Sequence, residues 1–351
     1  MTEFFSDSML AAFVGGLGGI LLGLAARLGR FCTLGALEDF FYGDSSARLR
    51  MWGVAIGVAV IGSFGASALG WVNLTNTVYL SQSLNIPAAI IGGLVFGYGM
   101  ALAGNCGFGA LARLGGGDLR SFVIVLVMGL SAYITLSGPL AQLRITLFPH
   151  YPTPDNAAGI AHIIGQGTGI SVNLVGMTIG GLILGVTVFF RRSPLPVPAI
   201  FWGAVAGLAI VSGWVGTSYV AAQGFDTIAV VSHTFSAPIG ETMLYAMTAS
   251  GRTISFAVGS VFGVLVGAFI GSLFKGHFRW EACEDPRELR RQILGAVLMG
   301  IGAVVALGCS VGQGMSAFSV LAISAPLTLG AIVAGAYIGL RQLIEGFSRD
   351  I

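Results

Sequence analysis

Three of the four cysteines stand in one kind of setting. Cys32 lies in GRFCTLGALEDF, Cys106 in ALAGNCGFGALARLG and Cys309 in VALGCSVGQGMSAFS, each flanked by small or hydroxyl-bearing residues and followed by a short apolar segment. A thiol placed just ahead of a helix meets free backbone N–H groups and the positive end of the helix dipole, a setting that can lower its pKa. Left neutral, it offers a weak S–H donor and a soft, polarizable sulfur. A hard oxyanion such as sulfate uses neither property, whereas an oxyanion carrying a terminal sulfur atom uses both. Cysteine is also a small residue that packs well. That account suits one thiol better than three in equivalent positions.

The same segments supply the other candidates for binding and translocation. They are Thr33 beside Cys32, Gly104, Asn105, Gly107 and Gly109 around Cys106, Ser236 ahead of a fourth short segment, and Gly308, Ser310, Gly312 and Gln313 around Cys309. Glycines there let a ligand reach the backbone, and free N–H groups at the head of a helix form an anion site. Glu38, Glu241 and Arg113 are charges within apolar surroundings, where each is costly and reads either as a structural pair or as a coupling group. Cys283 sits in a hydrophilic loop without a counterpart and reads as an ordinary reduced thiol. No C-x-x-C pair occurs, which argues against a thioredoxin-type centre or a structural zinc site. His162 and His233 fall in loops on the outer side without metal-ligand spacing. No metal, cofactor or nucleic-acid partner is expected, and no G-x-x-x-x-G-K-[ST] motif is present for nucleotide hydrolysis.

The elements that must position these residues are membrane helices. Of 351 residues, 55% are hydrophobic and only 9% charged, whereas a soluble surface needs roughly 25%. Uncharged apolar runs long enough to cross a hydrocarbon core recur near 9–26, 51–71, 88–105, 121–139, 171–190, 198–214, 253–274, 292–308 and 325–340. Glu3 and Asp7 ahead of the first run argue against a secretory signal. The expected fold is an all-α polytopic membrane protein of about nine transmembrane helices, with four short half-helices at 33–42, 107–115, 237–249 and 310–323. With the N-terminus periplasmic, fifteen of the 17 basic residues lie inside, leaving only Arg144 and Arg252 outside. The loop 275–291 and the C-terminus are then cytoplasmic, and 72–87 and 140–170 periplasmic.

The chain is also written twice. Gly92, Gly97, Gly99, Cys106 and Gly109 recur 203 residues later as Gly295, Gly300, Gly302, Cys309 and Gly312, and Glu38 and Tyr42 recur as Glu241 and Tyr245. RFCTLGALEDFFYG matches HTFSAPIGETMLYAM after one gap, which sets Phe31 and Cys32 against Phe235 and Ser236. The helix near 171–190 reverses the second half relative to the membrane. The result is an inverted pseudo-twofold repeat, an arrangement that places a substrate site near the midplane between discontinuous helices. One integral membrane domain is expected, with repeat halves at 1–140 and 198–351 and a periplasmic segment plus linking helix at 141–197.

At these motifs the sequence resembles the YeeE/YedE family of sulfur-transport membrane proteins, from about residue 10 to 342. GRFCTLGALEDF, GMALAGNCGFGALARLG, TFSAPIGETMLYAM and LMGIGAVVALGCSVGQGMSAFS carry the resemblance. It implies a bacterial inner-membrane protein that takes up thiosulfate or a related sulfur compound, built from nine spanning and four short helices. Cys32, Cys106 and Cys309 would handle the substrate. A cytosolic TusA-like sulfur carrier is an expected partner, and some relatives are associated with selenium metabolism. The segment 140–170 matches no family motif.

Three functions compete at this point. The first is a transporter, not an enzyme, that passes a sulfur oxyanion along successive thiols by weak multi-site binding. The second is a membrane sulfurtransferase with a persulfide relay, which needs an activated thiolate although no Lys or His is near in sequence. The third is a sensor or scaffold, against which the duplicated polar interruptions count.

Overall fold

The computed structural model describes residues 6–82, 84–149, 159–189, 194–224, 228–282 and 285–346. Among them are nine helices of 18 residues or more: α1 (Asp7–Leu28), α3 (Ala47–Ala68), α4 (Ile86–Ala103), α6 (Leu119–Leu136), α7 (Val172–Phe189), α8 (Val197–Gln223), α10 (Phe256–Phe274), α11 (Pro286–Val305) and α13 (Ser324–Glu345). Four short helices lie among them, α2 (Thr33–Phe41), α5 (Gly107–Gly115), α9 (Ala237–Thr248) and α12 (Gly312–Ala317), the last π-helical, and further short helical segments include Val78–Ser81, Ala141–Leu147 and Ile160–Thr168. Eight stretches are long and apolar enough to cross a membrane. Two of them join a long helix to the short one that follows, as Asp7–Phe41 and Ile86–Gly115. The ninth long helix, α11, is not among the eight because its first turns carry Arg287, Glu288, Arg290 and Arg291 ahead of an apolar remainder. The chain is an all-α, multi-pass membrane protein.

Glycines decide which helices touch. On α1, Gly15, Gly19 and Gly23 face Phe256, Ser260 and Val264 of α10, where an added Cβ would overlap the facing carbonyl oxygen. On α10, Gly259, Gly263 and Gly267 press in the same way on Ala12, Gly16 and Ile20. Two interlocking four-residue stripes therefore bring the backbones into direct contact, the usual substitute for a hydrophobic driving force inside lipid. A looser version joins α3 to α8, where a Cβ on Gly203 or Gly207 would lie 2.7 or 2.6 Å from the carbonyl oxygens of Met51 and Ala55. α4 crosses both α11 and α13, α6 packs on α11, and α7 lies on α3 with little of its surface buried.

Two long helices stop short, each on a left-handed residue. α4 ends at Ala103 with Gly104 at φ +76°, and α11 ends at Val305, followed by Leu307 at φ +56° and Gly308 at φ +156°. Glycine adopts this conformation freely, whereas leucine is a true outlier. Each break leads within two residues to Cys106 or Cys309 and then into a short helix.

The expected segment 310–323 is helical only over 310–319, and its middle is the π-helical α12. Beyond it the chain turns at Leu321, φ +51°, whose carbonyl accepts the Ile160 N–H at 2.8 Å. The segment expected to be a long outer loop, 140–170, thus reaches the end of a half-helix through a short helix at Ile160–Thr168. His233, expected in a loop, is wholly buried. It lies over Gly18 and Phe256, with Nδ1 2.6 Å from the Ser260 hydroxyl. The extended stretch ahead of α9 lies against α1 and α10, so it is interior although it is not helical.

Candidate functional site

Cys106 and Cys309 are buried and Cys32 is partly buried; all three are free thiols. Cys106 is the N-cap of α5, and its sulfur accepts the Gly109 N–H at 3.4 Å. Cys309 precedes the helical stretch that begins at Ser310, and its sulfur accepts the N–H groups of Phe235 and Gly312, both at 3.4 Å. The Thr234 hydroxyl lies 3.6 Å from the same sulfur. These backbone donors occupy sulfur lone pairs, so the S–H proton of each thiol is left to point elsewhere.

Hydroxyls join the two thiols. Thr33, the first residue of α2, donates to the Ser310 hydroxyl at 3.1 Å and lies 3.8 Å from the Cys106 sulfur. Cys32, its neighbour in sequence, is close to Cys106 across Gly109: a Cβ built there would lie 3.6 Å from the Cys32 sulfur and 3.7 Å from that of Cys106. Cys32, Cys106, Thr33, Ser310, Cys309 and Thr234 therefore form a polar thread through otherwise apolar packing. Phe31, Phe108 and Phe235 wall it, with ring centroids 6.4 and 5.2 Å apart.

A cavity lies at each end of the thread, and the two share no lining residue. One, of about 360 Å³, contains Cys32, Gly35, Gly104 and Gly109 together with Arg27, Arg30, Arg48, Arg113, Lys275, His277 and Glu38. The other, of about 210 Å³, is largely apolar and contains Tyr79, Trp214, Thr234, Ser236 and Gly308. Ser236 is buried, and its hydroxyl has no partner among the described residues. Trp214 is fixed by an indole N–H bond to Ser319 at 2.9 Å, and Tyr79 meets its ring edge-on. Gly312 keeps this approach open, since a Cβ there would come within 2.5 Å of the Thr234 hydroxyl and 3.3 Å of that of Tyr79.

Most of the residues expected at the site gather along this thread and its two mouths: Cys32, Thr33, Gly104, Cys106, Gly109, Ser236, Gly308, Cys309, Ser310 and Gly312. Others lie differently. The Gln313 amide nitrogen is held by the Ala306 and Leu307 carbonyls at 2.9 and 3.2 Å, closing the free end of α11. Glu241 accepts the Ser255 hydroxyl at 2.5 Å and so ties α9 to the start of α10. Gly107 is a packing position against Met128. Asn105 is buried, with Oδ1 unpartnered among the described residues. Arg113 and Glu38 face the cationic cavity. Cys283 lies outside the described residues.

Sequence reading missed Tyr79, Trp214 and Thr234, and it counted the arginines by side without bringing them together. Thr234 carried a usable signal, since it stands two residues ahead of Ser236 in the segment matched to Cys32. Tyr79 carried none.

Interior thiols at the heads of broken helices, between two cavities that do not meet, define a multi-pass membrane protein with a closed polar path. The family described as sulphur transport matches residues 28–338, nearly the whole chain, and the protein belongs to that family. Two curated relatives, both named thiosulfate transporter TsuA, are similar throughout. The Escherichia coli (strain K12) protein is 26% identical over 316 residues, covering 85% of this chain and 84% of its own. The Spirochaeta thermophila protein is 25% identical over 315 residues, covering 87% and 91%.

Proposed function

We propose that the protein takes up thiosulfate across a bacterial inner membrane, with its N-terminus periplasmic and its C-terminus cytoplasmic. The observation that carries this reading is the thiol–hydroxyl thread between the two cavities. Thiosulfate has a hard oxyanion end and a soft terminal sulfur, and the thread offers backbone N–H groups and hydroxyls to the first and S–H groups to the second. Cys309 with Thr234 and Ser236 receives the anion from the apolar, periplasmic cavity. Thr33 and Ser310 bridge to Cys106, and Cys32 delivers it to the cationic, cytoplasmic one. Several weak contacts suit passage better than one tight site.

The repeat accounts for this layout. α1 packs on α10 as α8 packs on α3, and α4 meets α13 as α11 meets α6, so partners exchange between halves 1–140 and 198–351. This exchange supports an inverted pseudo-twofold repeat in which each half contributes one buried thiol. The cationic mouth is assigned to the cytoplasm because Arg27, Arg30, Arg48, Arg113 and Lys275 gather there, as the positive-inside bias requires. A cytosolic TusA-like carrier would take the delivered sulfur compound from that side.

The test is uptake by purified protein in liposomes, with thiosulfate labelled separately on its two sulfur atoms and compared with sulfate, sulfite and selenite. Transport moves both labels together. Movement of the outer sulfur label alone would replace this reading with sulfur transfer through a cysteine persulfide.

A further inference from the structure

The cationic cavity holds more positive charge than a passage needs. Of its five Arg and Lys residues, only Arg48 makes an ion pair among the described residues, to Asp39 at 3.2 Å, while Asp118 and Glu281 act on Arg27 from outside the lining. Arg27, Arg30, Arg113 and Lys275 face one lining carboxylate, Glu38. Two of these cations are fastened in place. Arg27 Nε donates to the Ser272 hydroxyl at 2.6 Å, and Lys275 Nζ donates to the Arg27 and Leu28 carbonyls at 3.0 and 2.9 Å, at the negative end of α1. Arg30 and Arg113 have no side-chain hydrogen bond or ion pair among the described residues. Burial, followed by Arg30 and Arg27, holds the Lys275 ammonium below its usual range.

Arg30 is the most telling. It sits at φ +57°, a left-handed conformation in which glycine would be unstrained and arginine is not. The chain thus holds a cation on a strained backbone at a cavity wall where other cations already repel it. Positive groups around a cavity of about 360 Å³, with a single carboxylate in its lining, form a site for a divalent oxyanion.

We infer that this cavity is a second anion site, in which a divalent tetrahedral oxyanion such as sulfate binds from the cytoplasmic side and slows entry of further substrate. The inference rests on the transport reading for its direction, but the binding itself does not. Thiosulfate leaving Cys32 meets a cavity that is either empty or filled. While an oxyanion sits there, a second dianion next to Cys32 is repelled, so flux falls as cytosolic oxyanion accumulates. Sulfate suffices, because this cavity reads charge and not the soft sulfur.

The first arm measures binding of radiolabelled sulfate to full-length protein in phosphatidylcholine vesicles. Wild type should bind it saturably, and Arg30→Gly and Lys275→Gln should each weaken binding about tenfold, while Gly181→Ala, remote from cavity and thread, should not change it. Arg30→Gly also relieves the backbone, so it should unfold no earlier than wild type, and lost binding cannot then be ascribed to misfolding. Sulfate affinity unchanged in both charge variants would overturn the inference. The second arm adds phosphatidylglycerol to the vesicles. Abolition of sulfate binding would assign the cavity to a lipid headgroup and overturn it too. In the third arm, initial thiosulfate uptake is compared in vesicles loaded with sulfate or with gluconate at equal ionic strength. Wild type should be several-fold slower with sulfate inside, and the ratio should approach one in Arg30→Gly. A wild-type ratio of one, with brisk uptake, would overturn the regulation while leaving transport intact. No uptake from gluconate-loaded vesicles would instead refute transport, and the binding arm would still judge the site.

Discussion

Sulfate is the sharpest probe of the thread, because it matches thiosulfate in charge and approximate shape but lacks the soft atom. The perturbation is a change of competitor in wild type, then a change of atom in Cys106→Ser. In the structure, Cys106 accepts one backbone N–H and Cys309 accepts two, and their S–H groups meet only the Thr33 and Thr234 hydroxyls at 3.8 and 3.6 Å, long contacts that a terminal sulfur can replace. Such contacts contribute roughly 0.5–1 kcal/mol each. Two buried thiols therefore give thiosulfate an advantage of about 1–2 kcal/mol, or roughly 5- to 30-fold over sulfate, at about 1.4 kcal/mol per tenfold. Serine keeps a donor near Thr33 but loses the polarizable sulfur, so the preference should fall by about two- to fivefold, the value of one contact. The assay is competition of unlabelled sulfate or thiosulfate against labelled thiosulfate uptake, in liposomes preloaded with gluconate so that the cationic cavity starts empty. Equal competition by sulfate in wild type would show that the thiols do not read sulfur, and the proposed roles of Cys106 and Cys309 would go with it.

Cys309→Ala should cut uptake by about tenfold or more, since it removes a contact and strands the buried Phe235 N–H, an orphaning that costs about 1–3 kcal/mol; Cys106→Ala should be comparably impaired in uptake, and Cys283→Ala should match wild type. Orientation is checked with a membrane-impermeant maleimide on intact cells, which should label Arg252→Cys but leave wild type unlabelled until the cells are opened; labelling of native Cys283 from outside would reverse the assignment. Gly259→Ala should lower the thermal unfolding midpoint in detergent, because its Cβ would collide with the Ala12 carbonyl and overpacking costs about 1–3 kcal/mol. Gly181→Ala has open space around it and should raise the midpoint slightly, so equal midpoints for the two variants would refute the stripe-packing account of α1 and α10.

How legible the fold was depended on how local each signal is. Hydrophobic runs and breaks are properties of neighbouring residues, so the long helices and the starts of α2, α5 and α9 could be read directly. α11 was readable as a helix from Gln292 onward, past its charged first turns. Cys106 and Cys309 were legible because they recur in phase, and Cys32 because it too stands just ahead of a short helix. What sequence could not convey was convergence. Arg27 meets Ser272 across 245 positions and Thr33 meets Ser310 across 277, and both contacts depend on where whole helices pack. Tyr79 stands in a short helical turn with no counterpart in the other half, so neither periodicity nor repetition marked it. His233 misled for a different reason. A polar, non-helical stretch reads as a loop, but backbone without helical bonds can stay inside a membrane protein when side chains meet its carbonyls, as Ser316 meets that of His233 at 2.6 Å.

The two proposed halves differ in chemistry, and the difference bears on what the proposed path can do. Ser236 stands where the first half has Cys32, Gly308 where it has Asn105, and an apolar cavity where it has a cationic one. An uneven series of sites cannot by itself drive an anion one way, because at equilibrium inward and outward flux are equal whatever the well depths. It can set where the anion waits. With little fixed charge, the apolar mouth holds a dianion weakly, so entry responds to the supply outside, whereas the excess of cations at the other end holds it strongly. That profile loads the path toward the cytoplasm at low external substrate and would clog it unless the anion is removed there. On the proposed orientation, uptake then calls for a consumer on the cytoplasmic side or continual dilution into the cytosol. Neutralising the cationic mouth with Arg30→Gly should accordingly speed release relative to entry, seen as faster efflux from preloaded vesicles into substrate-free buffer through protein oriented with that mouth outward. Unchanged efflux kinetics would show that the cations do not govern occupancy, and the asymmetry between the halves would then have no bearing on flux.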